Sequence, residues 1–148
     1  MRRADPLITV LKLNKEAEEQ AALQLKSAQL EQQRFEGQLE ALNNYRLEYM
    51  KQMGENQGKT LSASEYHSFH EFIKQVDQAL VQQVNTVREA QNQTQHRQVH
   101  WQQKQQKRKA VELLLAKNAQ KAQQIANKQE QKASDEFAMQ QFIRKTPR

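Results

Sequence analysis

Apolar side chains recur along this chain at alternating intervals of three and four residues, in two long runs separated by one short break. In the first run, every seventh residue reads Leu7, Asn14, Ala21, Ala28, Phe35, Leu42 and Tyr49. A companion row four residues on reads Leu11, Glu18, Leu25, Gln32, Leu39, Arg46 and Met53. In the second run one row is Tyr66, Ile73, Leu80, Val87, Thr94, Trp101, Arg108 and Leu115. The other is Phe69, Val76, Gln83, Ala90, Arg97, Lys104 and Val111. A seven-residue repeat places these positions on one seam of a helix and implies left-handed supercoiling against a second helix. After Pro6 no proline interrupts either run, and Gly37 is the only glycine inside them; the break at 54–62 holds the other two. The pattern predicts an all-α fold, a long two-helix antiparallel coiled-coil hairpin. Helix 1 covers 6–53, the loop 54–62 and helix 2 63–143, as a single domain over 1–148.

The ends of the helices have local causes. Asp5 can accept from the first free N–H groups, and Pro6 sits at the first helical position, where a missing N–H costs nothing. Ser62-Ala63-Ser64-Glu65 reads as a capping box opening helix 2, and Thr146-Pro147 closes the chain. Gly37 costs about 1 kcal/mol relative to alanine in a helix interior; it marks either a close helix–helix approach or a soft point. The rows are also imperfect. Glu18, Arg46, Arg97, Lys104 and Arg108 fall where apolar residues belong, which predicts a marginal seam that flexes away from the loop.

Register follows from antiparallel pairing, because residues lying level have a constant sum of numbers. Helix 1 spans ~70 Å and helix 2 ~120 Å, so Leu7 falls beside about Leu114. Everything after about Ala119 then protrudes as a single C-terminal helix. That overhang carries Ala122, Ile125, Ala126, Ala133, Phe137, Met139, Phe142 and Ile143. So polar a helix gains little from burial, and its end is expected to fray or to find a partner.

Composition narrows the function classes. Of 148 residues only 36% are hydrophobic and 6% aromatic, with a mean hydropathy of −1.05. A compact domain carries close to half apolar residues; this chain has enough for a two-helix seam and too little for a globular core. Low hydrophobicity also permits disorder, but the regular spacing along both runs argues against it. Glutamine dominates 91–131, a good helix former on solvated faces. The absence of cysteine excludes a disulfide framework and a thiolate metal site. The apolar residues near the N-terminus, broken by Thr9 and Lys12, are too few for a secretory core or a membrane span, and the expected location is the cytoplasm.

Charge is uneven. Through Gln95 there are 11 Lys+Arg against 13 Asp+Glu, and from His96 onward 12 against 4. The basic half suits an acidic cavity, nucleic acid or anionic lipid, or is simply a solvated face. The run Lys104-Gln105-Gln106-Lys107-Arg108-Lys109 before Val111 faintly resembles a basic region entering a zipper. Leu113, Leu114 and Leu115 are adjacent rather than heptad-spaced, however, so nucleic-acid binding, or an unrelated coiled-coil adaptor role, stands only as the alternative. No phosphate-binding G-x-x-x-x-G-K-[ST] motif is present, so ATP hydrolysis is not expected. His67 with His70, and His96 with His100, have one-face helical spacing but no evident third ligand. An open hairpin offers no water-excluding pocket, and no enzyme activity, cofactor or metal is expected.

Near the loop a second stripe runs beside the seam on each helix: Gln38, Leu42, Tyr45, Tyr49 and Phe72, Val76, Ala79, Gln83. Both have the i, i+4, i+7, i+11 spacing of one helix face. Paired in antiparallel order, Tyr49 with Phe72 through Gln38 with Gln83, their numbers share one sum, so the stripes should lie side by side. Either the seam is broad here, or this is an exposed aromatic–aliphatic patch of the kind that marks a protein-binding surface.

The same residues carry a resemblance. The run Gln38-Leu39-x-x-Leu42-x-x-Tyr45-x-x-Glu48-Tyr49, a short Gly-containing break, and Tyr66-x-x-Phe69-x-x-Phe72-Ile73-x-x-Val76-x-x-Ala79 resembles the flagellar export stalk family FliJ. Trp101, the basic helix after it, and Asp135-Glu136-Phe137-Ala138 before Arg144-Lys145 add to the likeness, which covers essentially the whole chain. It implies a component of the flagellar type III export apparatus, similar to the central stalk of rotary ATPases. The expected partners are a hexameric flagellar export ATPase whose ring it promotes, the cytoplasmic part of the export gate membrane protein, and empty export chaperones. No nucleic acid is then expected, and the membrane is met peripherally, through partners, at the flagellar base. Gate binding maps by resemblance to Gln38, Leu42, Tyr45, Tyr49, Phe72, Val76, Ala79 and Gln83. Val76 stands where leucine is usual and Gln83 where histidine can occur. By the stalk analogy the termini enter the ATPase ring, which points to Ile125, Phe137, Phe142 and Ile143 as ring-binding residues.

Overall fold

The structure, a computed structural model, describes residues 5–55 and 62–145. Among these there are two helices and no strand: α1, Pro6–Glu55, and α2, Ala63–Lys145. They pack against each other as a helical hairpin.

Each helix begins where its side chains satisfy the free backbone donors. Asp5 Oδ1 accepts from the Leu7 N–H at 3.0 Å, and the Asp5 carbonyl accepts from Ile8 N–H at 3.0 Å. At α2 the Ser62 hydroxyl accepts from Glu65 N–H at 3.2 Å, while Glu65 Oε2 accepts from Ser62 N–H at 3.4 Å. That reciprocal pair is the capping box expected from the sequence.

The far ends differ from expectation. α1 runs through Gly54 to Glu55 rather than stopping at Met53, and α2 reaches Lys145 rather than Ile143. A glycine ends a helix by taking positive φ, and no described glycine does so. The centre of the expected loop and the Thr146-Pro147 stop lie outside the described residues.

The chain divides into two compact units. One comprises Glu18–Gln103; the other joins Met1–Ala17 with Lys104–Arg148. Within Glu18–Gln103 the cross-helix bonds fix the direction. Arg46 meets Asp77, Gln83 reaches Phe35 and Gln38, and Arg97 reaches Gln24. Numbers fall on α1 as they rise on α2, so the helices are antiparallel.

The core of this unit is thin. Among the described residues only Ala21, Ala28, Val76 and Val87 are buried, and no polar side chain is. Leu25, Phe35, Leu39, Leu42, Tyr49, Phe69, Ile73 and Leu80 are half-buried beside them. One seam position departs from expectation: Tyr66 is 58% exposed. It lies in the first turn of α2, where its ring packs edge-on against His70 at 4.3 Å.

In the other unit Leu7, Leu11, Asn14 and Ala17 on α1, and Lys104, Arg108, Val111 and Leu115 on α2, are half-buried at three- and four-residue intervals. From Ala116 to Lys145 every residue is exposed.

Gly37 is resolved as a solvent-side position. A Cβ built on it would meet nothing within 4 Å, which removes the close-approach reading. Gly37→Ala is expected to stabilise the hairpin by about 1 kcal/mol, read as a higher denaturation midpoint by circular dichroism.

Candidate functional site

The chemistry of this chain is concentrated near the loop-proximal end of the Glu18–Gln103 unit, where four aromatic rings meet across the helices. Tyr49 stands at the centre, 4.3 Å from Phe72 and stacked on Phe69 at 5.5 Å, and Tyr45 meets Phe72 edge-on at 6.0 Å. These positions fall together because the heptad brings Tyr49 and Phe69 to the seam and sets Tyr45 and Phe72 on its flank. Aromatic pairs of this geometry contribute about 0.5–1.5 kcal/mol each beyond their burial, a large share of what holds so thin a seam.

The two stripes read from the sequence do lie side by side, with unequal exposure. Tyr45 is 53% exposed and Gln38 is exposed. Leu42, Tyr49, Phe72, Ala79 and Gln83 are half-buried, and Val76, at 7%, is core. Gln83 has a definite role: its Nε2 donates to the Phe35 carbonyl at 3.0 Å and to Gln38 Oε1 at 3.2 Å. It pins the end of the stripe across the seam, a bond that neither aliphatic packing nor spacing announces.

On the opposite flank Arg46 Nε donates to Asp77 Oδ1 at 2.6 Å. The sequence marked Arg46 as an intruder on the seam and gave Asp77 no role. The antiparallel register that pairs Tyr45 with Val76 sets Arg46 level with Gln75, two residues before Asp77 and within reach of a long arginine side chain. Both are partly exposed, so the pair contributes about 1 kcal/mol or less. The adjoining groove on α2, about 620 Å³, is lined by His70, Ile73, Lys74, Asp77, Gln78, Val81 and Gln82. Its only carboxylate is the one already engaged by Arg46.

The second candidate set sits in the exposed part of α2. Ile125, Phe137, Phe142 and Ile143 are 58%, 62%, 72% and 66% exposed. At about 100° per residue, Ile125 and Ile143 share a face, while Phe137 and Phe142 are each turned about 100–120° away from it. They distribute apolar groups around the helix rather than lining one side.

Both histidine pairs are exposed, and among the described residues no group of three or more His, Cys, Asp or Glu could hold a metal ion. No described helix is long and apolar enough to cross a membrane.

An aromatic cluster across two packed helices and an exposed basic stretch of α2 are features the sequence shared with one family. The family model described as the flagellar FliJ protein matches residues 3–147. The chain belongs to the FliJ family. The match takes in the whole of both helices, and it makes this FliJ-type hairpin a flagellar export component. No curated protein and no solved structure matches it.

Proposed function

We propose that this FliJ-family chain is a non-enzymatic stalk of the flagellar export apparatus. In this reading it promotes assembly of the hexameric export ATPase, docks on the cytoplasmic part of the export gate membrane protein, and escorts empty export chaperones. The chain stays in the cytoplasm and meets the inner membrane at the flagellar base through those partners. The observation that carries the reading is the family match over residues 3–147.

Two features of the structure support its parts. The gate would be met by the stripe of Gln38, Leu42, Tyr45, Tyr49, Phe72, Ala79 and Gln83. There an exposed tyrosine stands on a rigid aromatic base, the arrangement that makes an interface anchor. Val76 would support that face from beneath. The ATPase ring would be met by the exposed end of α2. Apolar residues turned in several directions suit a partner that surrounds a helix better than one that lies along a single side.

ATP turnover by the purified cognate export ATPase, at one chain per six ATPase subunits, tests the reading. Stimulation accompanied by ring formation is expected, and is expected to be lost when the chain is truncated after Ala119. No stimulation by the full chain would overturn the stalk role. Stimulation that survives truncation would move the ring contact off Ile125, Phe137, Phe142 and Ile143.

A further inference from the structure

Of the six lysines between 107 and 132 on α2, all but Lys109 lie toward one face of the helix. Lys107, Lys117, Lys121, Lys128 and Lys132 are all exposed, and at about 100° per residue they fall within an arc of about 80°. Their intervals of ten, four, seven and four residues are those that return a helix to the same face. The carboxylates of the same stretch, Glu112 and Glu130, project about 180° from the middle of that arc. Glu112 is in addition engaged by Arg108 at 3.0 Å. The result is a cationic line about 37 Å long with no acid on it, on a segment that from Ala116 to Lys145 is exposed throughout.

Leu114 and Ile125, 46% and 58% exposed, lie on the same arc. The arc holds no arginine and no aromatic residue. Nucleic-acid surfaces draw on both, arginine for bidentate phosphate contacts and aromatics for base stacking, and a duplex backbone curves away from a straight row. A row of lysines with aliphatic residues between them suits a flat, diffuse anionic plane. There every ammonium can be met at once, while the lysine stems and the aliphatic groups rest against the headgroup layer.

We propose that this lysine face of α2 binds anionic lipid headgroups directly, giving the chain a membrane contact of its own that requires no protein partner. The contact is electrostatic and reversible, so it weakens with salt. It is independent of the stalk reading, because the assay below contains no ATPase and no gate protein.

Co-sedimentation of the full chain with vesicles tests it. One set is phosphatidylcholine containing about one third phosphatidylglycerol and the other is phosphatidylcholine alone, both at about 0.15 M salt. Binding to the anionic vesicles only is expected. A variant carrying Lys117→Gln, Lys121→Gln and Lys128→Gln keeps good helix formers and is expected to lower the partition constant about 100-fold, at about 5-fold per lysine. A charge-matched control on α1, Lys12→Gln, Lys15→Gln and Lys26→Gln, is expected to bind as the parent does. Equal losses in both variants would reduce the effect to net charge and overturn the proposal. So would an absence of binding to the anionic vesicles, or tighter binding to duplex DNA than to vesicles at the same salt.

Discussion

Ala21→Glu is expected to lower the unfolding free energy by about 3–4 kcal/mol, the largest loss from any single change in the seam. Ala21 is only 2% exposed, and a small side chain is what the site requires. The Gln24–Arg97 hydrogen bond, at 3.1 Å, sets the local register. It puts Ala21 level with residue 100, one position from the half-buried Trp101. A glutamate there must either force the helices apart around the indole or hold a carboxylate in the seam. Overpacking costs about 1–3 kcal/mol and an unpaired buried charge adds several more before it relaxes. Ala41→Glu, on the exposed side of the same helix, is expected to stay within about 0.5 kcal/mol of the parent. Urea denaturation followed by helical circular dichroism measures both. Similar midpoints for the two variants would show that the helices are not clamped at Ala21.

The contrast between those alanines shows why the fold was so readable. In a two-helix seam, burial depends on one variable, the azimuth of a residue on its helix, and heptad spacing states that variable outright. Every position of both rows on α1 is buried or half-buried, including the polar Asn14, Glu18, Gln32 and Arg46. On α2 only Tyr66 escapes. The three arginines among the charged intruders remain in place because they are long enough to cover the seam with their stems while their heads find partners. Arg46 takes Asp77, Arg97 takes Gln24 and Arg108 takes Glu112. Spacing alone made them look like leaks.

Side-chain partnerships were less legible, because they depend on which way a flanking residue leans rather than on azimuth. The Gln83 bond to the Phe35 carbonyl and the Arg46–Asp77 pair both belong to this class. The last two helical residues at each C-terminal end were missed for a different reason. Gly54, Glu55, Arg144 and Lys145 are compatible with helix, and composition cannot fix where a chain uses that freedom.

Tyr45→Ala and Phe72→Ala are expected to part company, although both residues belong to the proposed gate-docking stripe. Tyr45 is 53% exposed, and its ring meets Phe72 edge-on. Its loss should leave the unfolding curve within about 0.5–1 kcal/mol of the parent. If the ring anchors the gate protein, affinity should fall about 30-fold, the ~2 kcal/mol typical of a truncated aromatic anchor. Phe72 is half-buried and packs against both Tyr45 and Tyr49. Phe72→Ala should therefore cost about 2 kcal/mol of stability and weaken docking as well, since it removes the surface on which Tyr45 stands. Isothermal titration against the cytoplasmic part of the gate protein, paired with urea denaturation of each variant, separates the two effects. Lost affinity in Tyr45→Ala with the fold intact identifies a contact surface. Unchanged affinity in Tyr45→Ala beside a loss in Phe72→Ala would mean that the stripe serves the seam, and the docking face would have to be sought elsewhere on the hairpin.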